Sequence, residues 1–265
     1  MFYQELFLVF ILGLVFGSFL NVLIYRLPEG KSLLKPSSHC PKCETPLKWY
    51  HNIPLISFIF LRGRCAYCGE KISLQYPLVE LITALLLVSI FVKFKPLYGF
   101  IPFAFFSIFA MILISVFFID LKHKEIPDLL SFSLIFFGWI FSLTGKNPLG
   151  ITFKESLLST FSGIGLLFFI NEVYYLITRR DGIGMGDFKL MGGLGAYLGY
   201  KSFYNLLFFA SLIGVITFFI FQIYQKIFKG KKDSFTENIL KKEIPFGPLL
   251  SISALIYLFN PKSLL

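Results

Sequence analysis

The sequence predicts an all-α polytopic membrane protein with about eight transmembrane helices. Its composition is the first observation: 56% of the 265 residues are hydrophobic, only 15% are charged, and 35 are Phe. Soluble domains are about 45–50% apolar and about 25% charged, so this chain lacks the polar residues that cover a soluble globule. The second observation is that its apolar residues are concentrated in long segments. Both a soluble globular domain and a disordered chain are excluded.

Eight apolar segments approach or reach the length that crosses a bilayer, about 20 residues of helix. The fourth, sixth and eighth are short, so the count is seven or eight. The first segment has no basic region before it and no small-residue cleavage site after it, which predicts a retained helix and not a cleaved signal peptide. The segments are Leu6–Tyr25, Leu74–Val92, Leu97–Ile119, Leu129–Leu143, Ser156–Thr178, Leu190–Leu198, Phe203–Tyr224 and Pro245–Phe259.

Most of the 25 Lys and Arg residues fall on one side of these segments. They lie in loops 26–73, 120–128, 179–189 and 226–243, and an excess of Lys and Arg marks the cytoplasmic side of a membrane protein. The N-terminus is therefore predicted to face outward. The net charge of +10 is explained by this topology and by contact with membrane lipid, so no nucleic-acid partner is predicted. The last of the four loops is expected near anionic headgroups.

Loop 26–73 holds all four cysteines of the chain, as two pairs with C-x-x-C spacing. Each turn presents two thiolates, and two such turns complete a tetrahedral Cys₄ zinc site. The alternative is that the pairs form disulfides or carry redox chemistry, which a cytosolic location disfavours. Four thiolates leave no open coordination position, so the predicted zinc is structural and folds a zinc-ribbon-like loop. His39, beside the first pair, is an alternative ligand. The cysteines are Cys40, Cys43, Cys65 and Cys68.

Two aspartates stand at the predicted cytoplasmic ends of membrane helices. Asp120 follows the charge-free run 100–119, and Asp187 lies in Gly184-Met-Gly-Asp187, ahead of the sixth apolar segment. Because both have the same predicted depth, the helix bundle is able to bring them together. Two close carboxylates share a proton, so one activates water while the other protonates the scissile group, as in aspartic proteolysis. The simpler interpretations are a solvated helix-end charge for Asp120 and a helix cap for Asp187.

Further residues in the apolar segments suggest packing or polar contacts. Gly195-Ala-Tyr-Leu-Gly199 has the spacing of a helix–helix contact. Glu80 and Glu172 lie within predicted spans, where an acid is costly and usually functional; internal pairing and a polar pocket are both open for them. Asp128 is expected to cap the fourth helix, and Asp181 to be a loop charge.

These motifs together resemble the type IV prepilin leader peptidase and N-methyltransferase family, which contains GxGD-type intramembrane aspartic peptidases. The resemblance covers nearly the whole chain and is specific because the aspartate motif and the cysteine loop occur together. The matching segments are Gly17–Val22, both cysteine pairs, Trp49–Ser57, Leu61–Cys65, Tyr76–Glu80, Ile119-Asp120 with Ile126–Asp128, Gly184–Leu190 and Pro245–Pro248.

The resemblance implies an enzyme of the bacterial inner membrane whose catalytic residues are Asp120 and Asp187, acting at the cytoplasmic face. Its protein substrates would be type IV prepilins or type II secretion pseudopilins, cleaved after Gly and before Phe to remove a basic leader. The new N-terminal amine would then be methylated with S-adenosyl-L-methionine. In the family the tetracysteine loop accompanies the bifunctional form. Residues 1–95 are thus expected to serve methylation and residues 96–265 to form the peptidase domain.

The same resemblance leaves the pocket for the methyl donor unassigned, because the glycine fingerprint of soluble methyltransferases is absent from the chain. Gly63 and Arg64, beside the second cysteine pair, are the candidate cofactor-binding residues.

Two other functions fit parts of the pattern. A transporter would use the acids as a proton or cation path, but the acids cluster at one membrane edge and the far side has no matching polar groups. A non-catalytic scaffold would present the zinc loop to cytoplasmic partners. A liposome flux assay distinguishes the enzyme from the transporter, and a shorter product after incubation with a prepilin excludes the scaffold.

Overall fold

The computed structural model describes residues 2–33, 35, 38–40, 42–228 and 245–261. The predicted basic loop therefore lies, from residue 229 onward, outside the described residues. Apart from two isolated β-bridges, the regular structure in these ranges is helical, which confirms the all-α prediction. The α-helices are α1 (Phe2–Arg26), α2 (Ile56–Phe60), α3 (Gln75–Tyr98), α4 (Phe100–His123), α5 (Asp128–Leu143), α6 (Phe153–Thr178), α7 (Met185–Leu198), α8 (Phe203–Phe228) and α9 (Phe246–Phe259).

Each of the eight predicted segments is a helix, and five stretches are long and apolar enough to cross a membrane. These are Phe2–Arg26, Gln75–Tyr98, Phe100–His123, Phe153–Thr178 and Tyr200–Ile220. Helix α5 has 16 residues, and α7 and α9 have 14 each. A 14-residue helix is about 21 Å long, shorter than the hydrocarbon core of about 30 Å. The chain is a multi-pass membrane protein with three short helices beside the long ones.

The chain divides into two compact units. The N-terminal unit comprises Met1–Ile119 with Ile140–Gly150, and the C-terminal unit comprises Asp120–Trp139 with Ile151–Leu265. The functional division between residues 95 and 96 stays a prediction, because these units are defined by packing and not by activity.

In the N-terminal unit, α1 and α3 pack closely because two glycines of α1 face α3. A Cβ on Gly13 would lie 2.5 Å from the Cα of Ala84, and one on Gly17 would lie 2.6 Å from the Cα of Glu80. Glycines four residues apart share one helix face, so this is a small-x-x-x-small contact. Buried apolar side chains continue the contact: Val9, Leu87 and Phe91.

In the C-terminal unit, α7 is enclosed by protein, and every residue of Leu190–Leu198 is buried. A Cβ on Gly195 would lie 2.5 Å from the carbonyl oxygen of Ser159 in α6. On another side, a Cβ on Gly193 would lie 2.7 Å from Cδ2 of Leu134 in α5. The backbone of α7 thus approaches its neighbours as closely as glycine permits.

The predicted contact through Gly195 and Gly199 is only half present. Gly195 packs against α6, whereas Gly199 follows the last residue of α7 with a φ of 77° and faces the side chain of Ile151. Glycine adopts this left-handed conformation without the steric penalty of a Cβ, so Gly199 ends the helix.

Candidate functional site

Asp120 and Asp187 come together in the C-terminal unit. Asp120 lies in the last turn of α4 and is 5% exposed, so it is not the solvated charge of the simpler interpretation. Asp187 lies in the first turn of α7 and is half-buried, outside the five stretches able to cross a membrane. Burial, and then the charge of the neighbouring Asp120, raise the pKa of the Asp187 carboxyl to about 7. Such a pair has the electrostatics of two carboxyl groups that share one proton.

The start of α9 holds the Asp120 carboxylate. The backbone N–H of Gly247 donates to Oδ2 of Asp120 at 3.0 Å. A Cβ on Gly247 would lie 2.7 Å from the same oxygen, so only glycine fits at this distance. Gly247 is in the first turn of α9, where the partial positive charge of the helix end favours an anion. These contacts favour the ionised form of Asp120 and oppose the effect of burial, which disfavours a charge at this position.

The Asp187 carboxyl is less completely satisfied. Gly184 is the N-cap residue of α7, and its backbone N–H interacts with the carboxyl, which retains part of the cap interpretation. Oδ1 of Asp187 is buried, however, and has no hydrogen-bond partner among the described residues. A buried polar atom without a partner is costly. Within the described residues, one oxygen of this carboxyl group is therefore left without a hydrogen bond.

Gly186, a glycine of the aspartate motif, allows the loop between α4 and α5 to approach the start of α7 closely. A Cβ on Gly186 would lie 2.9 Å from Cβ of Ile126. Cδ1 of Ile126 in turn lies 3.0 Å from the Cβ position of Gly247. One isoleucine thereby contacts the backbone beside each aspartate, a role that sequence reasoning did not assign to it.

Asn171 organises the segment that leads into α7. This side chain is 5% exposed, and its Oδ1 accepts from the N–H groups of Gly182 at 2.9 Å and Ile183 at 3.1 Å. Its Nδ2 donates to Asp181 at 3.2 Å. Asp181 is exposed in the loop before α7, as predicted. The only sequence signal was a polar amide in an apolar span.

Two other described acids of the C-terminal unit, Asp128 and Glu172, lie outside this pair. Asp128 is the first residue of α5, so it starts this helix as predicted, while its capping role stays a prediction. Its carboxylate is paired with Lys189 at 2.6 Å. Glu172 is exposed on α6.

The four cysteines form one cluster in the N-terminal unit. The thiols are free, which argues against the disulfide alternative, and their sulfur atoms all lie within 4.8 Å of one another. The sulfurs of Cys40 and Cys68 are 3.8 Å apart. A zinc ion with Zn–S bonds of ~2.3 Å gives tetrahedral sulfur–sulfur edges of about 3.8 Å. The cluster thus fits a Cys₄ zinc site, and His39 is not a member of it.

The two cysteine pairs adopt the same turn. In each, the residue four positions after the first cysteine donates its N–H to that cysteine's carbonyl, from Glu44 to Cys40 at 2.9 Å and from Gly69 to Cys65 at 3.0 Å. Glu44 and Gly69 have φ values of 53° and 71°. The cysteine N–H donates back to the carbonyl one residue further on, at 3.1 and 2.7 Å. This repeated turn presents both thiols of a pair to one point.

Hydrogen-bond donors favour the thiolate at two of the four cysteines, Cys43 and Cys65, whereas the pKa of Cys68 is raised to about 11 by burial and the neighbouring cysteines. The hydroxyl and the backbone N–H of Thr45 lower the pKa of Cys43 to about 6. The backbone N–H groups of Cys68 and Tyr67 lower the pKa of Cys65. Thiolate is the form that binds metal.

Gly63 and Arg64 belong to the backbone of the second cysteine turn. The N–H of Gly63 donates to Phe58 at 2.9 Å, and Arg64 forms an isolated β-bridge with Lys71. The N-terminal unit also contains a cavity of about 620 Å³ between α1, α3 and the cysteine loop, and neither residue lines it.

Comparison with known families gives two matches. Residues 11–94 match the bacterial peptidase A24 N-terminal domain, and residues 107–219 match the type IV leader peptidase family. The first match contains the cysteine cluster, and the second contains both aspartates.

Several known proteins are similar over most of their length. A protein named prepilin leader peptidase/N-methyltransferase from Neisseria gonorrhoeae is 35% identical, over 93% of this chain and 87% of the relative. A protein of the same name from Myxococcus xanthus is 35% identical over 92% of this chain and 70% of the relative. A protein of the same name from Klebsiella pneumoniae is 37% identical over 76% of this chain and 89% of the relative. No solved structure matches the chain.

Proposed function

Because the chain belongs to the type IV leader peptidase family, we propose that it removes the basic leader of type IV prepilins or type II secretion pseudopilins and methylates the new N-terminal amine. The observation that carries the peptidase half is the pairing of Asp120 with Asp187. The methyltransferase half is supported by the name of the relatives and by the N-terminal domain that the chain shares with the family.

The two aspartates take different roles in peptide hydrolysis. Asp120, ionised beside the N–H of Gly247, removes a proton from the attacking water as its oxygen bonds to the scissile carbonyl carbon. Asp187, whose pKa near 7 allows it to hold a proton, donates that proton to the carbonyl oxygen. Asp120 then protonates the leaving amine as the carbon–nitrogen bond breaks, and Asp187 takes back a proton from the gem-diol hydroxyl that becomes the new carboxyl carbonyl. No covalent intermediate with the protein forms.

The cysteine cluster would hold a structural zinc ion through Cys40, Cys43, Cys65 and Cys68. Zinc binding supplies folding free energy to a loop that has little core of its own. The cluster has no open position for a reactant, so zinc stabilises the N-terminal unit and does no chemistry. For the second reaction, S-adenosyl-L-methionine supplies an electrophilic methyl group.

The protein is a multi-pass protein of the inner membrane. We further propose that its N-terminus faces outward and that the aspartate pair lies at the cytoplasmic face. This orientation is supported by the excess of Lys and Arg in the loops that precede α3, α5 and α7.

The test is incubation of the purified full-length protein with a prepilin and S-adenosyl-L-methionine, followed by mass spectrometry of the pilin. Asp120→Asn and Asp187→Asn are each expected to slow leader removal by roughly 10²–10⁴-fold, the usual contribution of an acid–base group. Asp128→Asn is the matched control, because this exposed aspartate lies outside the pair and its loss should change the rate less than about tenfold. Leader removal at the wild-type rate by either dyad variant would refute the proposal.

A further inference from the structure

The N-terminal unit contains a cavity of about 620 Å³ that peptide hydrolysis does not use. It lies between the second half of α1, the start of α3 and the cysteine loop, and its apolar walls include Phe19, Trp49 and Phe58. Cavities of about 300–1,000 Å³ with apolar walls and a few convergent polar groups are typical of small-molecule sites.

One polar group of this cavity is the carboxylate of Glu80, which is 7% exposed. Its Oε2 accepts from the backbone N–H of Leu55 at 2.8 Å, and the hydroxyl of Ser18 interacts with it. No Lys or Arg among the described residues forms an ion pair with Glu80. A buried carboxylate without a cationic partner is costly. Arg26 lines the same cavity but donates to the carbonyl oxygens of Ser32 and Leu33, so the carboxylate suits a ligand that brings a positive charge.

Two further groups of the cavity lack partners within the described ranges. Asn21 is 3% exposed and its Nδ2 donates to the carbonyl oxygen of Tyr76 at 3.0 Å, but its Oδ1 is unpaired. Nδ1 of His51 is also buried without a partner. Both residues line the cavity with Glu80, so two of its polar side chains each have one buried atom without the hydrogen bond that a ligand would supply.

We propose that this cavity is the methyl-transfer site, in which Glu80 binds and deprotonates the substrate amine while Asn21 and His51 contact the methyl donor. The proposal rests on the proposed function. Both reactants carry a cationic group, an ammonium and a sulfonium, and both suit a carboxylate and aromatic walls. The family's name states that methylation occurs. The proposal adds where in the protein it occurs and which residue acts as the base.

The reaction balances through Glu80. The N-terminal ammonium of the cleaved pilin transfers a proton to the Glu80 carboxylate. The free amine nitrogen then bonds to the methyl carbon, the carbon–sulfur bond breaks, and its electron pair remains on sulfur. Glu80 afterwards releases the proton to water.

A purely structural role for Glu80 is the competing explanation, because it anchors Leu55, whose φ is 58°. Glu80→Gln separates the two, since an amide oxygen still accepts from the Leu55 N–H but does not take up a proton. The substrate is a synthetic peptide with the N-terminus of a mature pilin, so methylation does not depend on cleavage. Glu80→Gln is expected to lower methylation at least 100-fold and to leave prepilin cleavage within twofold. Glu172→Gln, the same change at an exposed glutamate of α6, should alter neither rate.

Binding of the methyl donor can be measured separately from methylation. Equilibrium dialysis of labelled S-adenosyl-L-methionine against the full-length protein should show binding about tenfold weaker for His51→Phe. This change keeps the ring contacts with Tyr50 and Tyr67 and removes the unpaired nitrogen, and zinc content should not change. Wild-type methylation by Glu80→Gln, or unchanged donor binding by His51→Phe, would overturn the assignment. A wild-type protein that cleaves prepilin but never methylates the peptide would instead refute the proposed methyltransferase function itself.

Discussion

Gly247 shows how a single residue without a side chain controls the chemistry of Asp120. Its N–H is the hydrogen-bond donor to the carboxylate, and its missing Cβ leaves room for Oδ2 at a distance where a methyl group would clash. A backbone donor at a helix N-terminus is rigid and remains in place throughout the reaction, as electrostatic preorganisation requires.

Gly247→Ala is expected to slow prepilin cleavage at least tenfold, because the new methyl group forces the Asp120 carboxylate away from both the N–H donor and Asp187. Initial rates of leader removal measure the effect. Gly165→Ala is the matched control, since a Cβ on this exposed glycine of α6 meets no atom within 4 Å. Equal rates for the two variants would show that Gly247 does not position Asp120.

At this scale the sequence predicted the side chains of the site but not their supports. Asp120 and Asp187 were identifiable because a carboxylate at the end of an apolar segment is unusual. The Gly247 donor was not, because a backbone N–H leaves no residue-specific signal and lies 127 positions from its acceptor. Asn171 was missed for a related reason: its partners are the backbone N–H groups of a loop.

At the scale of elements, the two cysteine turns are built alike, but only one has the residue that its backbone favours. Gly69 occupies the left-handed position of the second turn without strain, whereas the equivalent residue of the first turn, Glu44, has a side chain. A non-glycine residue in this conformation costs about 1–2 kcal/mol. The second turn is therefore the better formed of the two before metal binds.

Gly69→Ala should weaken zinc binding about fivefold, which corresponds to about 1 kcal/mol, because metal binding and loop folding are coupled. Steric clash makes no contribution, since a Cβ at Gly69 meets no atom within 4 Å. Competition with a chromophoric chelator measures the affinity. Gly30→Ala introduces the same strain, at a φ of 63°, away from the cysteines and should leave zinc affinity unchanged. Equal losses in both variants would contradict this account.

For the short helices, hydropathy predicts that a helix forms but not whether lipid or protein surrounds it. All eight apolar segments were found from the sequence, but composition does not distinguish a helix that lipid surrounds from one that protein encloses. Helix α7 illustrates the difference, because its apolar residues and closely packed glycines are covered by α5 and α6. The side chains that cover it come from distant segments, so only the folded chain reveals its surroundings.

For the molecule as a whole, the distribution of charge does not follow the division of the chain into two packed units. Most of the Lys and Arg residues that produce the net charge of +10 lie at predicted membrane boundaries, and they occur in both units. The two candidate reaction sites, in contrast, each lie within one unit: the aspartate pair in the C-terminal unit and the cavity with Glu80 in the N-terminal unit. The sequence predicted separable activities from family resemblance, and the location of each site within one unit supports separate loss by mutation.

The predicted orientation is testable across helix α5 alone. Glu125 precedes α5 and Lys154 follows it near the start of α6, and both side chains are exposed. Because 16 residues of helix reach only about 24 Å, a crossing by α5 requires local thinning of the bilayer or burial of its ends in protein. The excess of basic residues before α5 predicts that it does cross.

In intact spheroplasts, a membrane-impermeant maleimide should then label Lys154→Cys, and it should label Glu125→Cys only after permeabilisation. The wild-type protein, whose cysteines lie in the predicted cytoplasmic loop, is the unlabelled control. Equal labelling of both variants in intact spheroplasts would mean that α5 does not span, and labelling of Glu125→Cys alone would reverse the orientation of the active site.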